Sequence, residues 1–198
     1  MSDFQLYFET GLWHVLNKGA LDHILFLIVL TLPYAFKEWR KVLLLVTLFT
    51  IGHTMSLILS VFGIIKINTV VTEFLIPLTI LATAFYNIII YRKKQSRGNE
   101  NSVNFIAIVT LFFGIIHGLG FFSFFKIHFF EAPEDSLVPV LEFSLGIEAA
   151  QVVVIIAVLL LSAIAEQFFR VSRRDWILVI SSFVTGVVVP MIIDSEIW

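Results

Sequence analysis

The chain has 198 residues, of which 59% are apolar and only 14% are Asp, Glu, Lys or Arg, against roughly 25% charged residues in soluble globular domains. Together with a mean hydropathy of +0.97, this excludes a soluble core and intrinsic disorder, and a net charge of -2 gives no basis for a nucleic-acid partner. Cys is absent, so disulfides and thiolate chemistry are excluded, and any metal must be held by His, carboxylate, amide or Met.

The first residues, Met-Ser-Asp-Phe, lack the basic stretch that opens a secretory signal, so no cleavage is expected. Residues 1–16 carry Phe4, Leu6, Phe8, Leu12 and Trp13, which suit an outer amphipathic or re-entrant segment or an ordinary aromatic belt. A bilayer span needs ~20 mainly apolar residues. Charged clusters leave six such stretches, near Asn17 to Phe36, Val42 to Ile65, Phe74 to Tyr91, Asn104 to Phe125, Phe143 to Ala165 and Trp176 to Ile193. The expected architecture is a single all-α integral membrane domain over 1–198, a polytopic bundle of six transmembrane helices with a seventh left open. Residues 92–102 form a cytoplasmic linker, and Phe121 to Phe130 form a second aromatic stretch on the outer surface.

Lys and Arg orient the bundle. Lys37, Arg40, Lys41, Arg92, Lys93, Lys94, Arg97, Arg170, Arg173 and Arg174 fall on one side, and only Lys18, Lys66 and Lys126 on the other. Cytoplasmic loops hold the basic excess, which places both termini outside. Trp13, Trp39, Trp176 and Trp198 fall at the expected interfaces, where indoles concentrate.

Several polar residues do not belong in lipid. Only thirteen residues separate His23 from Lys37, too few to cross, so the first span is expected to start near Asn17. That puts Asp22 and His23 ~7 Å below the outer boundary at 1.5 Å per residue. His53 lies near the middle of the second span, His117 slightly outward of the middle of the fourth, and Glu148 is the only charge between Glu142 and Glu166. A carboxylate at the centre of a span costs about 2.5–3.5 kcal/mol even on the lenient insertion scale, and such residues normally face the bundle interior and pair there. Asp22, His23, His53, His117 and Glu148 are therefore expected to converge in one layer. His14, reached through the segment Asn17-Lys18-Gly19, is a further candidate ligand, whereas His128 falls in the outer loop. Gln151, three residues after Glu148, shares its helical face and suits orientation of the carboxylate; Thr54 follows His53 in a supporting position. Gly114 with Gly118, and Gly146 with Ala150, form small-xxx-small pairs that admit a neighbouring helix.

Imidazole and carboxylate donors suit a divalent transition metal such as Ni, Co or Zn, with Cu also compatible, whereas Mg or Ca would require mostly oxygen. Two other readings stay open: a metal-free His/carboxylate network locking the helices, and haem between His53 and His117, which leaves Asp22 and Glu148 without a role. No Gly-rich phosphate loop is present, and the serines have no nucleophile elbow.

Four stretches carry a resemblance: Trp13-His14 followed by Gly19-Ala20-Leu21-Asp22-His23-Ile24-Leu25-Phe26; Phe49-Thr50-Ile51-Gly52-His53-Thr54; Phe113-Gly114-Ile115-Ile116-His117-Gly118-Leu119-Gly120; and Leu145-Gly146-Ile147-Glu148-Ala149-Ala150-Gln151. In this order the sequence resembles the HupE/UreJ family of bacterial membrane proteins. Its Asp-His and Gly-His-Thr elements are also similar to the His/Asp-His and Gly-His-Ser elements of nickel/cobalt permeases. The resemblance implies residence in the bacterial cytoplasmic membrane, accessory roles around hydrogenase or urease, and nickel or cobalt uptake. The expected partners are the lipid bilayer and a divalent metal ion, with homo-oligomerisation left open. Transport and catalysis both remain available, because imidazoles holding a metal with an open position can also activate water for hydrolysis of a lipid or lipid-linked substrate, with Glu148 or Asp22 as general base.

Overall fold

The computed structural model describes residues 3–17, 20–65, 68–92, 100–129 and 137–197, with backbone alone at 100–103 and 123–129. Its helices are α1 (Asp3–Leu16), α2 (Leu21–Thr31), α3 (Trp39–Val61), α4 (Thr69–Arg92), α5 (Glu100–Phe129), α6 (Leu137–Gln167) and α7 (Arg173–Ile193), with a short 3-10 turn at Phe36–Glu38 before α3. No strand occurs among the described residues. The protein is an all-α polytopic membrane bundle. Five of its helical stretches, Phe36–Val61, Thr69–Arg92, Asn104–Phe122, Leu137–Gln167 and Arg173–Ile193, are long and apolar enough to cross a bilayer; α1 and α2 give a sixth if taken as one span bent by 69°.

That bent pair corrects the expected first span. The continuous helix from Asn17 to Phe36 does not form. Ala20 takes a non-helical backbone, and α2 covers 11 residues, about 16 Å at 1.5 Å per residue, roughly half of the hydrocarbon thickness. Its far end is set by Pro33, which has no N–H to donate to the Val29 carbonyl one turn earlier. Asn87 of α4 replaces the missing donor: its Nδ2 donates to Val29 O at 2.7 Å and lies 3.5 Å from Ser181 Oγ of α7. Without a substitute partner the buried carbonyl would be left unsatisfied, so this one amide joins α2, α4 and α7.

The most extensive helix contacts pair α3 with α5, α1 with α6 and α4 with α7. Glycines explain the first two. A Cβ on Gly52 would fall onto the Leu111 carbonyl, one on Gly114 onto that of Phe49, and one on Gly118 onto that of His53, so α3 and α5 meet backbone to backbone. The Gly114/Gly118 pair thus works as its spacing suggests. Gly146 admits α1: Gly11 faces the Phe143 carbonyl, and Gly146 faces that of Phe8. Helix α1 therefore buries Gly11 and Val15 against the bundle while Phe4, Leu6 and Trp13 remain exposed.

At the end carrying Lys37–Lys41 and Arg170–Arg174, basic side chains also act as helix caps. Arg174 Nε donates to Tyr91 O at 3.0 Å, in the last turn of α4. Arg173 donates to Tyr34 O in the turn after α2, with its Nε 3.7 Å from Glu166 Oε1. Carbonyls left over at helix C-termini are thereby paired with guanidinium groups. Most of the 92–102 linker, the side chains of residues 123–129, His128 among them, and residues 130–136 lie outside the described residues.

Candidate metal centre

The break between α1 and α2 creates the site. It brings His14, in the last turn of α1, back onto Asp22 and His23 in the first turn of α2. Helix α3 adds His53 from its middle, and α5 adds His117. The imidazole centroids lie 4.8 Å apart for His14 and His23, 5.2 Å for His23 and His117, 6.1 Å for His23 and His53, and 6.2 Å for His14 and His53. Two overlapping triplets can each offer ligand atoms within 4.8 Å of one another: His14, His23 and His53; and Asp22, His23 and His117. Tetrahedral donors at 2.0–2.1 Å from a zinc-like ion stand about 3.3 Å apart, a gap that small side-chain rotations can close.

The hydrogen bonds prepare these rings to donate electron pairs. A neutral imidazole has one N–H and one bare nitrogen. Asp22 Oδ1 lies 3.2 Å from His23 Nδ1 and accepts its proton's hydrogen bond, which leaves Nε2 bare. Thr79 of α4 does the same for His117. Its only hydroxyl proton goes to Ile76 O at 2.7 Å, so the oxygen accepts from His117 Nε2 at 3.1 Å and leaves Nδ1 bare. The atoms freed in this way, His23 Nε2 and His117 Nδ1, are buried without a hydrogen-bond partner, as are His14 Nε2 and both ring nitrogens of His53. Buried polar atoms are nearly always satisfied. Orphaned nitrogens on four rings facing one another are the donor set that a borderline divalent ion would satisfy, and the residues fit such an ion. Replacing Thr79 with Val releases the His117 tautomer; it is expected to lower Co2+ affinity about 10–100-fold, the usual effect of losing a group that orients a ligand, measured by titration of the purified protein.

Phenylalanines close the cluster above and below. Phe121 lies 3.9 Å from the His14 ring and stacks on Phe143 at 4.7 Å, on the side away from the basic end. Phe26 and Phe49 stack at 4.9 Å on the opposite side, with Phe49 5.0 Å from His117. Sequence patterning does not point to Thr79, Phe26, Phe49 or Phe143 as part of a site, and Phe121, expected on the outer surface, is instead buried against His14. Thr79 left only a weak signal, a Thr at helical spacing from Thr72 and Thr83 in an apolar span; a lining Phe resembles any other Phe in so apolar a chain.

Glu148 stands apart from both triplets. Its Oε1 accepts from Thr47 Oγ1 at 2.6 Å. Gln151, expected to orient this carboxylate, instead accepts from Thr50 Oγ1 at 2.9 Å. Residues three apart on α6 both face α3, and each meets its own threonine there. Thr54 donates to Ser144 Oγ at 2.8 Å rather than to any of the imidazoles.

A helical membrane bundle that gathers histidines and an aspartate from four helices defines a polytopic membrane protein with a His/carboxylate grouping suited to a metal ion. The family described as HupE / UreJ protein matches residues 1–193, and the chain belongs to that family. No curated protein and no solved structure matches it.

Proposed function

We propose that the chain is a nickel- or cobalt-type metal transport protein of the bacterial cytoplasmic membrane, with the His/Asp cluster as its capture site in the outer half of the bilayer. The observation that carries this reading is the set of buried ring nitrogens without a hydrogen-bond partner on His14, His23, His53 and His117 beside Asp22. The basic end faces the cytoplasm. A hydrated ion arriving from outside passes the Phe121–Phe143 pair and exchanges water for imidazole and carboxylate donors. His14 and Asp22, which retain some exposure, receive it first; His23, His53 and His117 complete its binding deeper in the bundle.

The test is uptake by purified protein in liposomes loaded with a metal-sensitive dye. Co2+ and Ni2+ should enter at rates well above those of protein-free vesicles, and His23→Ala should bring entry back to that background. Metal that binds but never enters would reject transport.

A second reading has its own supporting observation. The His14/His23/His53 triplet is a three-imidazole set that leaves a fourth position on a tetrahedral ion, with the Asp22 carboxylate beside it. Such a site suits a metal-dependent intramembrane hydrolase; the ion would supply Lewis acidity while Asp22 orients His23 and takes up a proton. Zn-dependent release of a fatty acid or headgroup from vesicle lipids, without metal entry, would favour it.

A further inference from the structure

We propose that α3 and α6 form a second, oxygen-lined cation station below the imidazole cluster, built from Thr47, Thr50, Glu148 and Gln151, through which the ion leaves. The proposal rests on the transport reading above. Phe26 and Phe49, stacked under the cluster, close the direct descent. Beside that floor runs a polar seam. Thr47, Thr50 and Thr54 lie on one face of α3, and Ser144, Glu148 and Gln151 on one face of α6. They pair as three rungs: Thr54 with Ser144, Thr50 with Gln151, and Thr47 with Glu148. The first rung is level with His53; Thr47 lies seven residues from Thr54 along α3, ~10 Å toward the basic end at 1.5 Å per residue, and Glu148 four residues from Ser144 along α6.

Two observations indicate that this seam holds a ligand. Glu148 has no ion-pair partner among the described residues, where the ion pairs are Asp22 with His23, Glu38 with Lys41 and Glu166 with Arg173. The sequence places no Lys or Arg on α6 and none on α3 beyond Lys41. A carboxylate inside a span requires compensation, and a passing cation supplies it. Gln151 is wholly buried, and with its Oε1 on Thr50 the amide Nε2 has no partner. The Thr50 hydroxyl has a single proton, which it can give to Val46 O. With the amide turned so that its NH2 donates to the Thr50 oxygen, the unpaired end becomes the carbonyl. The seam then presents the Glu148 carboxylate, a threonine hydroxyl and an amide carbonyl, all hard oxygen donors.

Hard donors hold a borderline transition metal less firmly than imidazole does. Conduction requires sites weak enough to leave and more than one of them. An imidazole trap followed by an oxygen station meets both conditions, and it gives Glu148 a task that the capture site does not.

The experiment compares wild type, Glu148→Gln and Thr47→Val, using Co2+ alone as probe. Equilibrium binding and the Co2+ visible spectrum report the imidazole cluster; entry into dye-loaded liposomes reports passage. Glu148→Gln should retain the wild-type spectrum and affinity while entry falls at least about tenfold, as expected on losing a charged oxygen donor. Thr47→Val should shift entry in the same direction by less, and it carries the test if Glu148→Gln does not fold. Wild-type entry rates in a folded Glu148→Gln protein would overturn the second station alone. Loss of affinity and spectrum together with entry would assign Glu148 to structure or capture and also overturn it. No entry by wild type would overturn the transport reading itself.

Discussion

Replacing His53 with Leu should raise the thermal stability of the metal-free protein and abolish its stabilisation by Co2+. His53 is 0% exposed and neither of its ring nitrogens has a hydrogen-bond partner. Leaving a buried polar group unsatisfied costs about 1–3 kcal/mol, whereas an apolar replacement of similar shape can be neutral or stabilising. The metal-free variant should therefore gain on the order of 1 kcal/mol. Wild type, at metal concentrations of 100 times Kd, should gain about 2.7 kcal/mol from binding, and the variant should gain almost nothing. Thermal melts in detergent with and without Co2+ check both outcomes. If His53 belonged to a metal-free locking network, the variant would be less stable than wild type without metal, and Co2+ would shift neither protein. The two readings thus predict opposite signs.

Replacing Gly118 with Val should dismantle the site without touching a candidate ligand. A Cβ at this position falls onto the His53 carbonyl and the Ser56 hydroxyl, and a backbone carbonyl inside a helix cannot swing aside. Helices α3 and α5 must separate, which displaces His53 from His117. Overpacking typically costs about 1–3 kcal/mol, occasionally more, and the upper part of that range is expected because the obstruction is main chain. Co2+ binding should be lost with it. Gly186→Ala provides the contrast, since a Cβ there meets nothing within 4 Å. It should be neutral, or stabilising by up to about 1 kcal/mol through the better helix propensity of Ala. Size-exclusion profiles, melts and Co2+ titration of the two variants distinguish them.

The parts of the molecule legible in sequence are those for which the bilayer makes the cost large. Charged clusters separate the spans because lipid excludes them, and His23, His53 and His117 stand out because imidazole in an apolar run needs a reason. Their convergence followed from that reasoning, and so did the approach of a helix at Gly114 and Gly118. The α1–α2 break was only half legible. The short stretch before Lys37 shows that something precedes Asp22, but span length, the only guide in the sequence, carries the helix on to Asn17. What ends α2 is Pro33, and what makes that ending tolerable is Asn87, 58 residues from Val29 along the chain. The docking of α1 on α6 was equally hidden, since it depends on Gly11 meeting the main chain at Phe143 and Gly146 meeting it at Phe8. Depth along its span puts Glu148 with the imidazoles, yet its immediate partner is Thr47. Depth along separate helices does not say which faces meet.

His23 is common to both ligand triplets. With Asp22 engaging its Nδ1 proton, the ring has a single lone pair to give, so the triplets cannot be filled together. The cluster accommodates one ion at a time, and titration should saturate there at a single equivalent per chain. Within it, an ion can change company from His14 and His53 to Asp22 and His117 while keeping hold of the same pivot.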